Sequence, residues 1–305
     1  MSASSRSTAI SKPATPDFRA AALEYFDARC QAFSGATELA RSYHAVEGIH
    51  DLRVETKKLR AFLQLIGQIS PTPVPRRHAK YIRRLFSVSG QARDLDIQQA
   101  LLVRGLSRHQ VSEYFNYLKE QEFAIRPALQ DAMVEDVFVE LKAIRRYVRE
   151  CVTRVRPDVG RRRLIEATLQ FALELRSLGS RKRVQGDQLH EVRKLAKTVR
   201  YCLDVVVVVA AGSRPLTSAT KRLKAAYNHL GDWRDTEITL RGLEQFLKES
   251  NEESLYDRKA YSAFASDLKA RRARDLKQFR RAWAVLRPTL DRLPGILRSE
   301  RYAGR

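Results

Sequence analysis

The chain is 305 residues long and carries 57 Lys and Arg against 35 Asp and Glu, a formal net charge of +22 with a pI near 10.3. An excess of that size repels itself in a compact state, and a polyanionic partner is its natural explanation, a role that nucleic acid, an anionic membrane and inorganic polyphosphate all fill on charge alone. The three cysteines, Cys30, Cys151 and Cys202, show no paired spacing, which excludes a disulfide scaffold or a zinc site and suits reduced thiols in a cytoplasmic protein.

Residues 1–16 are rich in Ser, Thr and Ala with two Pro and read as a disordered tail, without the apolar stretch of a signal peptide. Asp17 is placed as the N-cap of a helix reaching about Tyr43, with Leu23, Phe26, Cys30 and Phe33 inward. Gly48 marks the entry to a second helix, about Ile49 to Ile69, and Pro71, Pro73 and Pro75 force an extended connector. A third helix is expected from about Arg76 to Ser89. Gly90 interrupts it, and Gln91-Ala92-Arg93-Asp94-Leu95-Asp96 opens a short helix to about Val103. Two longer helices follow, about Arg108 to Met133 with Pro127 inside, and about Glu135 to Arg154.

The second half repeats this plan about 140 residues on. Asp158 is expected to cap a helix ending at Gly179, and Arg181-Lys182-Arg183 forms a basic loop. Asp187 caps a helix that ends near Gly212 and Pro215. The five consecutive valines Val205 to Val209 suggest a strand, but the helical stripe runs into them unbroken, so helix is expected. The longest apolar run, Leu203 to Ala211, is interrupted by Asp204 and too short to cross a bilayer, so no membrane span is expected. Ser218 caps the next helix, Gly231-Asp232-Trp233-Arg234-Asp235-Thr236-Glu237 matches the earlier Arg-Asp-x-acid segment, and helices from about Glu253 to Leu286 and Pro288 to Leu297 close the chain. The expectation is an all-α fold of two helical-bundle repeats, about 17–156 and 157–305.

The chemistry is concentrated in two matching segments. His50, Arg53, Lys57 and Arg60 recur as His190, Arg193, Lys197 and Arg200. On a helix turning about 100° per residue, these positions fall in a stripe about 80° wide. Leu52, Leu59, Phe62, Leu63 and Ile66 form the opposite stripe of the first segment, and Val192, Leu195, Val199, Cys202, Leu203 and Val206 that of the second. A basic stripe is usually only a solvated face. This one has few acids of its own to neutralise it and recurs position for position, which suits a ligand with many regularly spaced negative charges.

With its doubled His-x-x-Arg-x-x-x-Lys-x-x-Arg helices and its Arg-Asp pairs, the chain from about Asp17 to about Arg298 resembles the CHAD domain, an all-helical family named for conserved histidines. The resemblance implies binding of inorganic polyphosphate and recruitment to polyphosphate granules in the cytoplasm. It also implies two pseudo-symmetric bundles that bring both stripes to a basic central groove or pore.

Arg offers phosphate a planar, two-pronged donor and Lys a mobile point charge. His50 and His190 either add cations beside a polyphosphate or cap or brace their helix starts. Lys58 and Lys194 extend the basic surface. A supporting row is read in Lys80, Arg83 and Arg84, repeated as Lys221, Arg222 and Lys224. The carboxylates Asp94, Asp96, Asp235 and Glu237 read first as acids of a helical first turn, with Asp232 and Asp235 in a capping arrangement. They read second as partners holding the stripe cations, and third as a weak metal site. His44, His78, His109 and His229 show no metal spacing, no cofactor motif is present, and Trp233 and Trp283 are expected in the core. Two other functions remain open. One is nucleic-acid binding, which charge supports but no reader motif does. The other is a phosphohydrolase with His50 or His190 as nucleophile, which lacks an evident general acid. A non-catalytic binder is expected.

Overall fold

The computed structural model describes residues 17–43, 46–106, 108–133, 136–179, 187–210, 212–250 and 258–302. Among them the chain forms nine α-helices and no strand: α1 (Phe18–Tyr43), α2 (Val46–Ile69), α3 (Arg76–Gly105), α4 (Arg108–Met133), α5 (Asp136–Arg154), α6 (Pro157–Gly179), α7 (Asp187–Val209), α8 (Arg214–Glu249) and α9 (Arg258–Tyr302). The all-α class follows the 3.6-residue periodicity. The tail, His44 and the Arg181-Lys182-Arg183 loop lie outside the described residues, as do the side chains of His109 and Asp187.

The Asp17 carboxylate accepts the backbone N–H groups of Arg19 at 3.4 Å and Ala20 at 3.3 Å, so it caps α1 as expected. Asp158 does not repeat this. Pro157 already opens α6, where its fixed φ suits the first helical position, and Asp158 sits inside the first turn, paired with Arg156 at 3.3 Å.

Three helices run further than expected. α3 continues past Gly90, and α8 starts at Arg214, before Ser218, and continues past Gly231. A single interior Gly costs a helix about 1 kcal/mol, less than the burial of one large apolar side chain returns. α9 contains both Pro288 and Pro294. Leu286, Leu290, Leu293 and Leu297 are all buried along it, and Pro288 lies on the exposed side, where water can satisfy the freed carbonyl four residues back. The valine run is helical as expected: Val205, Val206 and Val209 are fully buried in α7. Burial at about 1.5 kcal/mol or more per side chain outweighs the few tenths by which β-branching disfavours helix. Gly212, at φ 77°, takes the left-handed conformation beyond α7, and its N–H closes on Val207 O at 2.9 Å.

Two apolar clusters hold the helices. The larger gathers Phe26, Phe33, Leu52, Phe62 and Ile66 with Leu164, Val199, Cys202, Leu230 and Trp283, taking residues from both halves of the chain. The smaller joins the far ends of the α3–α4 and α8–α9 hairpins through Leu102, Tyr114, Leu118, Leu243, Phe246, Tyr261 and Phe264. All three cysteines are buried and unpaired. Trp283 is buried and Trp233 is half-buried against the larger cluster. Among the described residues, no helix is long and apolar enough to cross a membrane.

Candidate functional site

The apolar stripes of α2 and α7 face the larger cluster, which turns their basic stripes into a cavity of about 720 Å³. Its walls are α2, α3, α7 and α8. From the stripes come His50, Arg53, Lys57, Arg60, His190, Arg193, Lys194 and Lys197; α3 adds Phe86, Arg93 and Asp94, and α8 adds Tyr227, Asp232, Arg234 and Asp235. Eight Lys and Arg therefore face three carboxylates.

Arg53, Lys57, Arg60 and Lys197 lie against aromatic faces or backbone rather than in ion pairs, whereas Lys194 pairs with Glu191 at 3.0 Å and Arg93 with Asp96 at 3.8 Å. The Phe86 ring lies 4.7 Å from the Arg53 guanidinium, 5.7 Å from the Lys57 amine and 4.9 Å from the Arg60 guanidinium. Arg53 Nη1 also donates to Phe86 O at 2.9 Å. Across the cavity, Tyr227 sits 5.8 Å from the Lys197 amine. Arg193 Nε is buried without a hydrogen-bond partner.

The electrostatics follow from burial among like charges. Burial pushes the Lys57 amine down from its usual value near 10.5 to about 7, helped by Arg53 and Arg193. It pushes Lys197 down to about 6, helped by Arg193 and Lys57. His50 and His190 are also lowered, by burial first and then by Arg93 and Lys194 respectively. Asp94 and Asp235 are raised by burial, an effect opposed by the nearby guanidiniums: Arg53 and Arg234 for Asp94, Arg193 and Arg93 for Asp235. Each carboxylate thus feels the arginine of the other Arg-Asp pair across the cavity.

A family model, the CHAD domain, matches residues 24–244, well over half of the sequence. The chain belongs to the CHAD domain family. The crystal structure of the CHAD domain from the plant Ricinus communis superposes with a TM-score of 0.70 at 19% identity, covering 92% of this chain and 96% of that one. PptA from Streptomyces chartreusis superposes with a TM-score of 0.63 at 16% identity, covering 88% of this chain and all of that one. At these identities the two structures establish a shared fold. No curated protein matches the sequence.

Within this CHAD domain, seven of the eight stripe residues meet at the cavity, and Lys194 joins them. Arg200 does not. It turns to Asp204 at 3.6 Å and to the Tyr201 ring at 4.9 Å, because Asp204 sits one turn on where the first stripe has Gln64. Lys58 turns the other way and, with Arg29, pairs with the buried Glu55, at 2.6 and 3.1 Å. Lys80, Arg83, Arg84, Lys221, Arg222 and Lys224 are exposed and line no part of the cavity. Arg83 is near enough to help lower Arg60, and Arg222 donates to Thr289 of α9 at 3.3 Å.

The carboxylates also divide. Since α3 and α8 are continuous, none of the four lies in a first helical turn, and the capping reading is corrected. Asp94 and Asp235 face the stripe cations. Asp96 and Glu237, two residues further on, point away: Asp96 lies 3.8 Å from Arg93, and Glu237 binds Arg241 at 2.8 Å and Arg272 at 2.6 Å. Among the described residues no group of three potential ligands could hold a metal ion. His50 and His190 stand near the starts of α2 and α7, line the cavity and make no hydrogen bond among the described residues.

Sequence reasoning missed Arg93 and Arg234 as cavity cations, and Phe86 and Tyr227 as the rings beneath the stripes. A signal was present: each pair is 141 residues apart, the offset that relates Lys80 to Lys221.

Proposed function

We propose that this CHAD domain binds inorganic polyphosphate and holds a stretch of it in the cavity between α2 and α7, without cleaving it. One observation carries the reading: basic stripes 140 residues apart in sequence line a single cavity. Arg53, Lys57, Arg193 and Lys197 are half-buried and make no ion pair among the described residues, so a phosphate polymer would supply the missing counter-charges. His50 and His190 would gain charge beside the polymer rather than act as nucleophiles. Asp94 and Asp235 would keep Arg53 and Arg193 in place. The nearly constant offset, 140 residues from Arg53 to Arg193 and 141 from Phe86 to Tyr227 and from Asp94 to Asp235, supports reading segments 17–156 and 157–305 as copies of one bundle. By family resemblance, the protein would reside in the cytoplasm at polyphosphate granules.

The test is filter binding of long-chain polyphosphate with competing duplex DNA. Arg53→Glu combined with Arg193→Glu should lower polyphosphate affinity by about 100-fold or more while helicity by circular dichroism stays unchanged. Binding retained in the folded double variant refutes the site. DNA bound as well as polyphosphate at physiological salt favours the nucleic-acid reading, and phosphate release that His50→Ala abolishes would make the protein an enzyme.

A further inference from the structure

The cavity leaves most of the charge unexplained. Its eight Lys and Arg and three Asp amount to a surplus of five, against +22 for the chain. The largest share outside it is on α9, with thirteen Lys and Arg against four Asp and Glu. This helix lies beyond the segment matched by the family model, which ends at residue 244.

On α9 the charge is concentrated on the outer face. Phe279, Trp283, Leu286 and Leu290 are buried, while Lys277, Arg280, Arg281 and Arg287 are exposed. None of these four cations makes a hydrogen bond or ion pair among the described residues. No Asp or Glu occurs between Leu276 and Leu290, a span of about 20 Å of helix. The flanking acids are occupied: Asp275 is buried beside Thr236 at 3.3 Å, and Asp291 binds Arg176 at 2.7 Å. α8 adds a further cation, Arg222, at Thr289.

This face is separate from the cavity. α8 lies between them, presenting Arg234 and Asp235 to the cavity and Thr236 and Glu237 to α9. The face also carries no exposed aromatic ring between Leu276 and Leu290, so it lacks the stacking platforms by which single-stranded nucleic acid is held. Lys277, Arg280 and Arg281 follow one another within about 6 Å of helix rise, a density suited to a polymer carrying a charge on every short unit.

We propose that the outer face of α9 is a second contact for long polyphosphate, so that one molecule holds two stretches of polymer and links neighbouring strands. The proposal rests on the reading of the cavity as a polyphosphate site. A short chain occupies the cavity alone, whereas a long chain also engages α9, on the same molecule or on another, and gains avidity.

The experiment compares the full chain with the variant Lys277→Glu, Arg280→Glu, Arg281→Glu and with its Gln counterpart. Binding of short-chain polyphosphate should stay within about two-fold in both, because the cavity is untouched. With long-chain polyphosphate, the Glu variant should lose the turbidity the parent protein develops at low salt, and the slope of log affinity against log salt should shrink by about two. The Gln variant should fall between them. Unchanged turbidity and salt slope overturn the proposal. Loss of duplex DNA binding with polyphosphate assembly intact also overturns it, making the face a nucleic-acid surface. A parent protein that fails to bind the short chain refutes the cavity reading instead.

Discussion

Arg53 reaches across to α3 directly over Gly90, so close that a Cβ on that glycine would stand 2.6 Å from Nη1. The glycine that seemed to break a helix instead makes room for a cation to lie against the helix backbone and bond Phe86 O. Gly90→Ala should therefore separate stability from binding. Alanine favours helix by about 1 kcal/mol, so the melting temperature should hold or rise. The displaced Arg53 should weaken polyphosphate binding by about three- to ten-fold. Thermal melts and filter binding on the same samples check both, and equal binding would show that Arg53 needs no such seat.

Phe86 should matter for binding although it bears no charge. It lies beneath Arg53, Lys57 and Arg60 together. Phe86→Leu keeps an apolar side chain and removes the ring face, worth about 0.5–1 kcal/mol per cation contact. Polyphosphate affinity should fall about ten-fold with helicity unchanged. Affinity equal to the parent would mean that the backbone carbonyl alone places Arg53.

Lys57 and Lys197 make both stability and binding depend on pH, in opposite directions. In the folded protein their amines sit at about 7 and about 6, below the usual 10.5, chiefly through burial. Between those values and 10.5 the unfolded chain holds more protons, so the free protein gains stability as pH rises through that window. Lys57→Met with Lys197→Met should stabilise the protein most below pH 6, with the advantage shrinking toward pH 10.5. A bound polyanion raises both amines, so binding takes up protons and affinity should fall as pH rises from 6 to 9. Calorimetry in buffers of different ionisation enthalpy would count the protons, and a count of zero contradicts this account.

Asp94 and Asp235 should contribute more to the free protein than to the complex. Each lies half-buried in the field of Arg53 or Arg193. Replacing both with Asn leaves the cavity cations less compensated, so the melting temperature should drop by several degrees. Saturating polyphosphate should restore most of the loss. A drop that persists at saturation would assign the carboxylates a packing role.

Basic residues outside the cavity serve as controls. Arg84→Glu, Lys221→Glu and Lys224→Glu, made singly, should change short-chain affinity by less than about two-fold. Lys58→Ala should lower stability through the buried Glu55 it partners, with short-chain affinity preserved. A large loss of affinity from any of the exposed three would extend the site beyond the cavity.

The amino-acid order alone determined the all-α class, most helix positions, and the residues that share a face with His50 or His190. A helix repeats every 3.6 residues, so the stripe of Arg53, Lys57 and Arg60 can be read without coordinates. Its limits were equally local. Gly90, Gly231, Pro288 and Pro294 have the composition of breaks, yet α3, α8 and α9 continue through them, since burial along both flanks exceeds the cost of one residue. Periodicity also cannot say which neighbour a side chain meets. Arg200 shares a face with Lys197 but is drawn off by Asp204, and Lys58 by Glu55. The tertiary structure decided that α2 and α7 line one cavity, that Phe86 and Tyr227 lie beneath the cations, and that Asp94 and Asp235 face inward while Asp96 and Glu237 do not. These are distances between helices far apart in the chain, set by how the apolar clusters close, and no local pattern records them.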